Sequence, residues 1–305
     1  MNEDPDVAHR ELNVAFPNKP LIKCLYSGKN VDDLVWIKTA LIFTHGAGGT
    51  LKADAVVNFT HGFVTSSAKP TLLCFQGNMN LASRVKMFKA ILEAREAELK
   101  PTIKTGPACL GGRSMGARAA VMAATAETTH LVLISYPLHT GKESRDQILL
   151  DLPASIKVIF ISGDLDHMCD LTRLETVRRK MKCKTWKAVV NGADHGMNVK
   201  PKSGTQEVGR MTGAIVATWQ DDSNERLTEG TVSWDSDEAA AKWSGWSEPQ
   251  NLPKTAAAST ETGKASAKPT KFAATPSKRK SNKTVEKEQD IEITQTPEPR
   301  KRRKI

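Results

Sequence analysis

The segment G-R-S-M-G at residues 112–116 has the spacing that decides the fold of this chain. It follows an apolar segment at residues 107–110 and precedes an alanine-rich segment at 117–126, which predict a strand and a helix. A serine between a strand and a helix, flanked at two residues' distance by glycines, indicates a sharp turn that exposes the hydroxyl group. The glycines let the strand and the helix approach without a Cβ clash. We therefore predict that Ser114 is a nucleophile; a glycine-rich turn without catalysis is the alternative.

On both sides of this segment, apolar runs alternate with helix-like runs. The predicted strands are 21–26, 39–44, 71–75, 131–136, 157–162 and 185–190, and the other predicted helices are 54–67, 81–99, 171–181 and 206–220. Short apolar strands separated by helices are typical of an α/β fold, with a mostly parallel central sheet covered by helices on both faces. Only about twenty residues, 137–156, separate two of these strands, so we expect no large lid domain.

A serine nucleophile needs a base and an acid that orients the base. In the α/β-hydrolase fold the order along the chain is Ser, then Asp or Glu, then His, and the last two lie in loops after later strands. His195 follows the strand 185–190 and is the predicted base; a structural role is its alternative. Asp164 and Asp166 both follow the strand 157–162. We favour Asp166 as the acid and expect Asp164 to cap the turn backbone.

Acyl transfer also needs N–H donors for the oxyanion of the tetrahedral intermediate. The amide of Met115, directly after the predicted nucleophile, is one candidate. The second is expected in the loop H-G-A-G-G at residues 45–49, where we predict the amide of Ala47. This loop lacks the G-x-G-x-x-G spacing, so no nucleotide cofactor is expected. Five widely spaced cysteines without a C-x-x-C pair indicate neither a metal site nor a disulfide framework.

The positive charge of the chain lies near its C-terminus. The net charge is +10, but residues 251–305 hold 14 Lys and Arg against 6 Asp and Glu, which leaves the remainder nearly neutral. This segment is poor in apolar residues and is predicted to be disordered. The predicted organisation is an N-terminal extension (1–20), an α/β-hydrolase domain (21–222), a Trp-containing linker (223–250) and the disordered basic tail (251–305).

Two basic clusters, at residues 277–280 and 299–304, give the tail its charge. The second predicts a nuclear localisation signal read by an import receptor, and a solubilising end is the alternative. We expect the nucleus, with the cytoplasm as a second compartment. Specific nucleic-acid binding is not expected, because no aromatic residues interleave the clusters. No apolar run reaches the ~18–20 residues of a membrane span, so no membrane association is expected.

The strings G-G-R-S-M-G-A-R-A-A (111–120), T-H-G-A-G-G (44–49) and G-A-D-H (192–195) resemble one family. It is the dienelactone-hydrolase-like branch of the α/β-hydrolases that contains the third subunit of the nonspecific-lethal histone acetyltransferase complex and its small testis-expressed relatives. The resemblance covers roughly residues 23–219; the basic tail and the doubled aspartate depart from it. It implies a compact α/β-hydrolase core. The implied triad is Ser114, Asp166 and His195.

Two functions remain open at this point. The first is a serine hydrolase that acts on a small-molecule ester, thioester or amide. The second is a catalytically silent subunit of a nuclear, chromatin-associated protein complex, because some members of the resembled family act in such complexes and a fold does not fix a function.

Overall fold

The structure is a computed structural model that describes residues 6–31, 36, 39–98, 108–141, 143–220 and 225–249. Its strands are β1 (Ala8–Val14), β2 (Ile22–Gly28), β3 (Thr39–Thr44), β4 (Thr71–Phe75), β5 (Ala108–Arg113), β6 (Thr128–Ile134), β7 (His139–Thr140), β8 (Glu143–Ser144), β9 (Lys157–Gly163), β10 (Lys184–Val190), β11 (Glu229–Asp235) and β12 (Ala240–Trp243). Its helices are α1 (Asp54–Thr65), α2 (Leu81–Glu98), α3 (Met115–Ala123), α4 (Gln147–Leu150), α5 (Leu171–Arg178) and α6 (Gly204–Trp219).

Within the described residues, ten strands form one sheet in the order β1-β2-β4-β3-β5-β6-β9-β10-β11-β12. The seven strands from β4 to β11 in this order are mutually parallel, and antiparallel strands add to both edges. The predicted α/β-hydrolase fold with a mostly parallel central sheet is confirmed. Because β4 and β5 flank β3 on opposite sides, the chain reverses its direction of travel at β3. Ligand sites in open α/β sheets lie at such a reversal, beyond the carboxyl ends of the strands.

Apolar side chains cover both faces of the sheet, which explains the continuous apolar strands in the sequence. All five residues of β4 and six of the seven residues of β9 are buried. One core includes residues of α2, α3 and α5, where the Phe88 ring meets the Phe75 ring edge to face at 4.7 Å. The other core includes residues of α1 and α6, with Phe59 and Trp219 among its largest side chains. The strands between these two cores are therefore shielded from water on both faces.

Two segments expected to lie outside the domain contribute strands to the sheet, which corrects the predicted organisation. Residues 1–20 contain β1, which pairs with β2 along its whole length. Residues 223–250, predicted as a linker, contain β11 and β12. The half-buried side chains of Trp234 and Trp243 pack against the core that contains α6. Sequence periodicity missed these strands because few of their residues are buried, so that they lack an uninterrupted apolar run and depend on neighbouring elements for stability.

The segment between β6 and β9 is compact. It forms the small hairpin β7–β8 and the single turn α4, and the Tyr136 hydroxyl donates to the Arg145 carbonyl oxygen at 2.8 Å. Among the helices in the described ranges, none combines the length and the apolar character that a membrane span requires. The predicted disordered tail and its two basic clusters lie outside the described residues.

Candidate active site

A strained turn joins β5 to α3 and holds Ser114 between them. The backbone of Ser114 has φ 53° and ψ −114°, which a residue with a Cβ rarely adopts. A Cβ on Gly112 would collide with the backbone of Gly116, and a Cβ on Gly116 would lie 2.7 Å from the carbonyl oxygen of His45. Both glycines are therefore required by close backbone contacts, as the G-x-S-x-G spacing predicts. The helix begins at Met115, two residues earlier than expected, because Ser114 itself occupies its N-cap position.

Three side chains from separate loops form a continuous hydrogen-bonded chain. The Ser114 Oγ lies 2.9 Å from the His195 Nε2, and the His195 Nδ1 lies 2.9 Å from both carboxylate oxygens of Asp166. The carboxylate favours a proton on Nδ1, which leaves Nε2 as the acceptor for the serine hydroxyl. The Asp166 side chain is fully buried, whereas the His195 side chain keeps 18% of its surface exposed. The arrangement can accept a proton from Ser114 and stabilise the resulting imidazolium.

The aspartates near His195 have separate partners. Asp166 also accepts a hydrogen bond from the Met168 amide at 2.8 Å, which fixes its carboxylate beneath the imidazole. Asp164 accepts from the Gly192 amide at 2.6 Å and so braces the histidine loop. Asp194 accepts from the Asn198 amide at 2.9 Å. The structure thus brings Asp166, and neither of the other two aspartates, into contact with the imidazole of His195.

The glycine-rich loop after β3 lies against Ser114. The Gly49 amide donates to the Gly46 carbonyl oxygen at 3.3 Å, and Gly48 has φ 64°. These features define a type II turn with Ala47 in its second position. A Cβ on Gly46 would lie 3.4 Å from the Cβ of Ser114. The exposed Ala47 therefore belongs to a loop beside Ser114, which is the place expected of the predicted second oxyanion donor.

The predicted first oxyanion donor lies at a helix N-terminus. Met115 is the first residue of α3, and the first four amides of a helix have no intrahelical acceptor. The positive end of the helix dipole adds to the attraction for a developing negative charge. The amide of Met115 is therefore suited by its position to the predicted role.

The sequence patterns predict no separate role for His45, but this residue organises the glycine-rich loop in which it lies. It is buried, and its Nδ1 lies 2.7 Å from the Gly46 carbonyl oxygen. Its Nε2 accepts from the Gly77 amide at 3.0 Å and from the Gln76 side chain at 2.8 Å. Burial lowers the pKa of His45, which favours the neutral ring that this pattern of one donor and one acceptor requires. Its place directly after β3 is the only sequence signal for this role.

Arg113 connects the turn at Ser114 to the loop that carries His195. Its Nη2 donates to the carbonyl oxygen of His195 at 2.5 Å, and a Cβ on Gly46 would lie 2.8 Å from its Nη1. Burial lowers the pKa of Arg113, an effect that the nearby carboxylates of Asp166 and Asp194 oppose. Its guanidinium group therefore lies among the three loops that build the site.

Metal ligation has no support in the part of the chain that the structure describes, where no group of three or more His, Cys, Asp or Glu side chains could hold an ion. The five cysteines are buried and unpaired. Burial raises the pKa of Cys24, Cys109 and Cys169 to about 12, so these thiols are not nucleophiles at neutral pH. Within the described residues, Ser114 has the hydrogen bond to a histidine that nucleophilic attack would require.

Solved structures with a similar fold include several hydrolases. An alpha-beta serine hydrolase homologue from Coxiella burnetii has a TM-score of 0.51 at 14% identity, covering 68% of this chain and 96% of its own. The esterase domain of a Rhodothermus marinus protein has a TM-score of 0.51 at 12% identity, covering 69% and 98%. An arylesterase has a TM-score of 0.54 at 14% identity, covering 72% and 86%. At identities of 12–14%, the similarity to these structures shows the fold alone.

The sequence itself matches a family described as "Alpha/beta hydrolase domain" over residues 37–220. This range extends from just before β3 to the end of α6, so it includes the turn at Ser114 and the loops that carry Asp166 and His195. The match and the esterase-like neighbours together support a hydrolase. The chain belongs to the α/β-hydrolase domain family.

Proposed function

We propose that this protein is a serine hydrolase that cleaves a small ester, thioester or amide. The observation that carries the proposal is the hydrogen-bonded chain from Ser114 through His195 to Asp166, at the carboxyl ends of β5, β10 and β9. A nucleophile, a base and an orienting acid in this geometry are the components of acyl transfer. The loops that carry them meet where the chain reverses across the sheet, at the usual place for a ligand.

The first half of the reaction forms an acyl-enzyme. The Ser114 Oγ attacks the substrate carbonyl carbon while its proton moves to the His195 Nε2. Asp166 stabilises the imidazolium that results, and the amides of Ala47 and Met115 stabilise the negative charge on the former carbonyl oxygen. The tetrahedral intermediate then collapses, the bond to the leaving group breaks, and His195 returns the proton to that leaving group.

The second half releases the acid. Water attacks the acyl carbon, and His195 takes one of its protons. Collapse of the second intermediate breaks the bond to the Ser114 Oγ, which recovers a proton from the imidazolium. The side chain of Ser114 is half-buried and that of His195 is 18% exposed, so a small substrate can reach both from solvent.

Labelling with a fluorophosphonate probe tests the proposal directly. The probe phosphonylates an activated serine, so wild-type protein should be labelled and Ser114→Ala should not. Ser135→Ala is a matched control, since Ser135 is a buried serine that also has a positive φ, 45°, at the end of β6. It should be labelled like the wild type. Equal labelling of wild type and Ser114→Ala would refute the proposal.

The narrower family placement and the location are separate proposals that rest on the sequence. The strings around Ser114 and His195 support membership of the branch that contains the third subunit of the nonspecific-lethal complex. The cluster at residues 299–304 supports import into the nucleus. A fluorescent fusion should lose nuclear accumulation when this cluster is replaced by alanines. A catalytically silent subunit of a chromatin-associated complex is the alternative function. It would be favoured if the probe does not label the protein, if the protein co-purifies with a chromatin complex, and if Ser114→Ala leaves this co-purification unchanged.

A further inference from the structure

A buried arginine supports the loop that carries Ala47. Arg84, in the first turn of α2, has no exposed surface. Its Nη1 donates to the carbonyl oxygen of His45, and its Nη2 donates to that of Gly46 at 3.0 Å. Its Nε donates to the carbonyl oxygen of Asn78 at 2.5 Å. One guanidinium group therefore binds the loop after β3 and the loop after β4 together.

The dipoles of three backbone carbonyl groups are the hydrogen-bonding partners of the Arg84 charge. Burial lowers its pKa to about 10, which leaves it protonated at neutral pH, and no carboxylate within the described ranges contributes to that shift. A buried cation without an ionic partner costs stability compared with an apolar side chain. Such local costs are expected chiefly at functional sites.

The bound carbonyl groups determine where the Ala47 amide points. In a planar trans peptide the C=O and the N–H point in opposite directions. The Gly46 carbonyl oxygen accepts from Arg84 and lies 2.7 Å from the His45 Nδ1, so the N–H of Ala47 in the same peptide points away from them. Ser114 lies against this loop, with its Cβ 3.4 Å from where a Gly46 Cβ would be.

We propose that Arg84 is a positioning residue for the oxyanion site. It fixes the peptide between Gly46 and Ala47 so that the N–H faces the reacting carbonyl group beside Ser114. A cation on the carbonyl oxygen of a peptide also polarises that peptide, which makes its N–H a stronger donor. Preorganised donors of this kind stabilise the transition state more than the bound substrate. The inference rests on the proposed hydrolase function.

Substitution of Arg84 should therefore lower kcat more than it raises KM. Arg84→Lys keeps the charge but cannot span the two carbonyl groups in a fixed fork. Arg84→Met removes both the charge and the donors. With a p-nitrophenyl ester that the wild type hydrolyses, we expect kcat to fall about tenfold for Arg84→Lys and about a hundredfold for Arg84→Met, with KM nearly unchanged.

Arg95 provides the matched control. It lies in the last turn of the same helix, is 6% exposed, and donates from its Nε to the Trp36 carbonyl oxygen at 3.2 Å. Arg95→Met removes a buried arginine held by a backbone carbonyl, about three helical turns from the loop. It should lower the melting temperature and leave kcat near the wild-type value.

A double substitution separates positioning from a merely structural role. Ala47→Pro removes the N–H in question and suits the turn, because proline is favoured in the second position of a type II turn. If Arg84 acts through this N–H, adding Arg84→Lys to Ala47→Pro should reduce kcat little further. Additive losses would overturn the inference, and so would an Arg84→Lys variant with a lowered melting temperature and unchanged kcat.

The behaviour of the wild-type protein distinguishes a failure of the proposed function from a failure of the proposed role of Arg84. If the wild-type protein neither reacts with the fluorophosphonate probe nor hydrolyses the ester, the proposed function fails. If it does both and Arg84→Lys does not lower kcat, only the role of Arg84 fails. Should Arg84→Met not fold, Arg84→Lys and the double variant still decide the question.

Discussion

Ser114 is held in a backbone conformation that favours glycine, and this has a measurable consequence. Its backbone has φ 53° and ψ −114°, a conformation that is strained for any residue with a Cβ and costs about 1–3 kcal/mol. Ser114→Gly and Ser114→Ala both remove the hydroxyl group, but only the glycine variant relieves the strain. We expect the free energy of unfolding of Ser114→Gly to exceed that of Ser114→Ala by about 1 kcal/mol in urea titrations. Equal free energies of unfolding for the two variants would show that the backbone at Ser114 is not strained.

The acid can be identified by comparing two aspartates in one loop. Asp166→Asn loses the charge that orients and stabilises the imidazole, so kcat/KM should fall by about 10³- to 10⁴-fold. Asp164→Asn affects only a hydrogen bond to the Gly192 amide, and we expect less than about a tenfold change. Steady-state ester hydrolysis measures both. A larger loss in Asp164→Asn would assign the acid to Asp164.

His45 should make stability depend on pH. Its pKa is lowered in the folded protein, mainly by burial, so the unfolded chain binds the proton more readily. The free energy of unfolding should therefore decrease as the pH falls below about 6.5, the pKa of an unperturbed histidine. His45→Gln should lose this part of the pH dependence between pH 7.5 and 5.5, as measured by urea unfolding. If the free energy of unfolding changes equally with pH in the wild type and in His45→Gln, then His45 is not the source of the pH dependence.

At the scale of elements, an ionic network fastens α5 to β10 and β11. The Arg178 Nη1 lies 2.7 Å from Glu175 and 2.9 Å from Glu229, and the Lys187 Nζ lies 3.2 Å from Glu229. Burial raises the pKa of Glu175, but the charges of Arg178 and Lys187 outweigh this effect and lower it overall. The network therefore favours the charged form of the Glu175 carboxylate close to the point where β11 joins the sheet.

This network predicts unequal effects of two neighbouring arginines. The Arg178 side chain is 5% exposed, so Arg178→Met leaves two partly buried carboxylates short of a partner and should lower the free energy of unfolding by about 3 kcal/mol. The Arg179 side chain is 52% exposed and lies 3.1 Å from Glu175, so Arg179→Met should cost less than about 1 kcal/mol. Chemical denaturation of both variants measures the difference. Similar losses would contradict the proposed role of burial.

At the scale of the whole molecule, the sheet extends beyond the part that matches the family. The match ends at residue 220, whereas β11 pairs in parallel with β10 and buries Val232. A chain ending at residue 249 keeps these strands and should retain probe labelling and melting temperature. A chain ending at residue 220 exposes the β10 edge and should precipitate or lose cooperative unfolding. If the chain ending at residue 220 is soluble and labelled like the longer chain, then β11 and β12 are not required for the fold.

Much of this architecture could be predicted from local sequence. The strands Thr39–Thr44 and Thr71–Phe75 were predicted with the bounds that the structure has, because strands buried on both faces appear as uninterrupted apolar runs. The turn at Ser114 was predicted from the G-x-S-x-G spacing. Only the contact of Gly112 with the backbone of Gly116 is local, whereas Gly116 lies against the backbone of His45 from a distant part of the chain. Edge strands such as β12 escaped prediction, since half-buried strands depend on side chains far away in sequence.

The sequence by itself determined the class of fold, the order of serine, aspartates and histidine, and the loops that carry them, because these follow from local periodicity and chain order. Only the tertiary structure decided that Asp166 meets His195, 29 residues away, while Asp164 braces Gly192. It also brought Arg84 to His45, 39 residues earlier. Hydrogen bonds act over about 3 Å, so such partners are chosen by how the strands order themselves in the sheet and not by spacing along the chain.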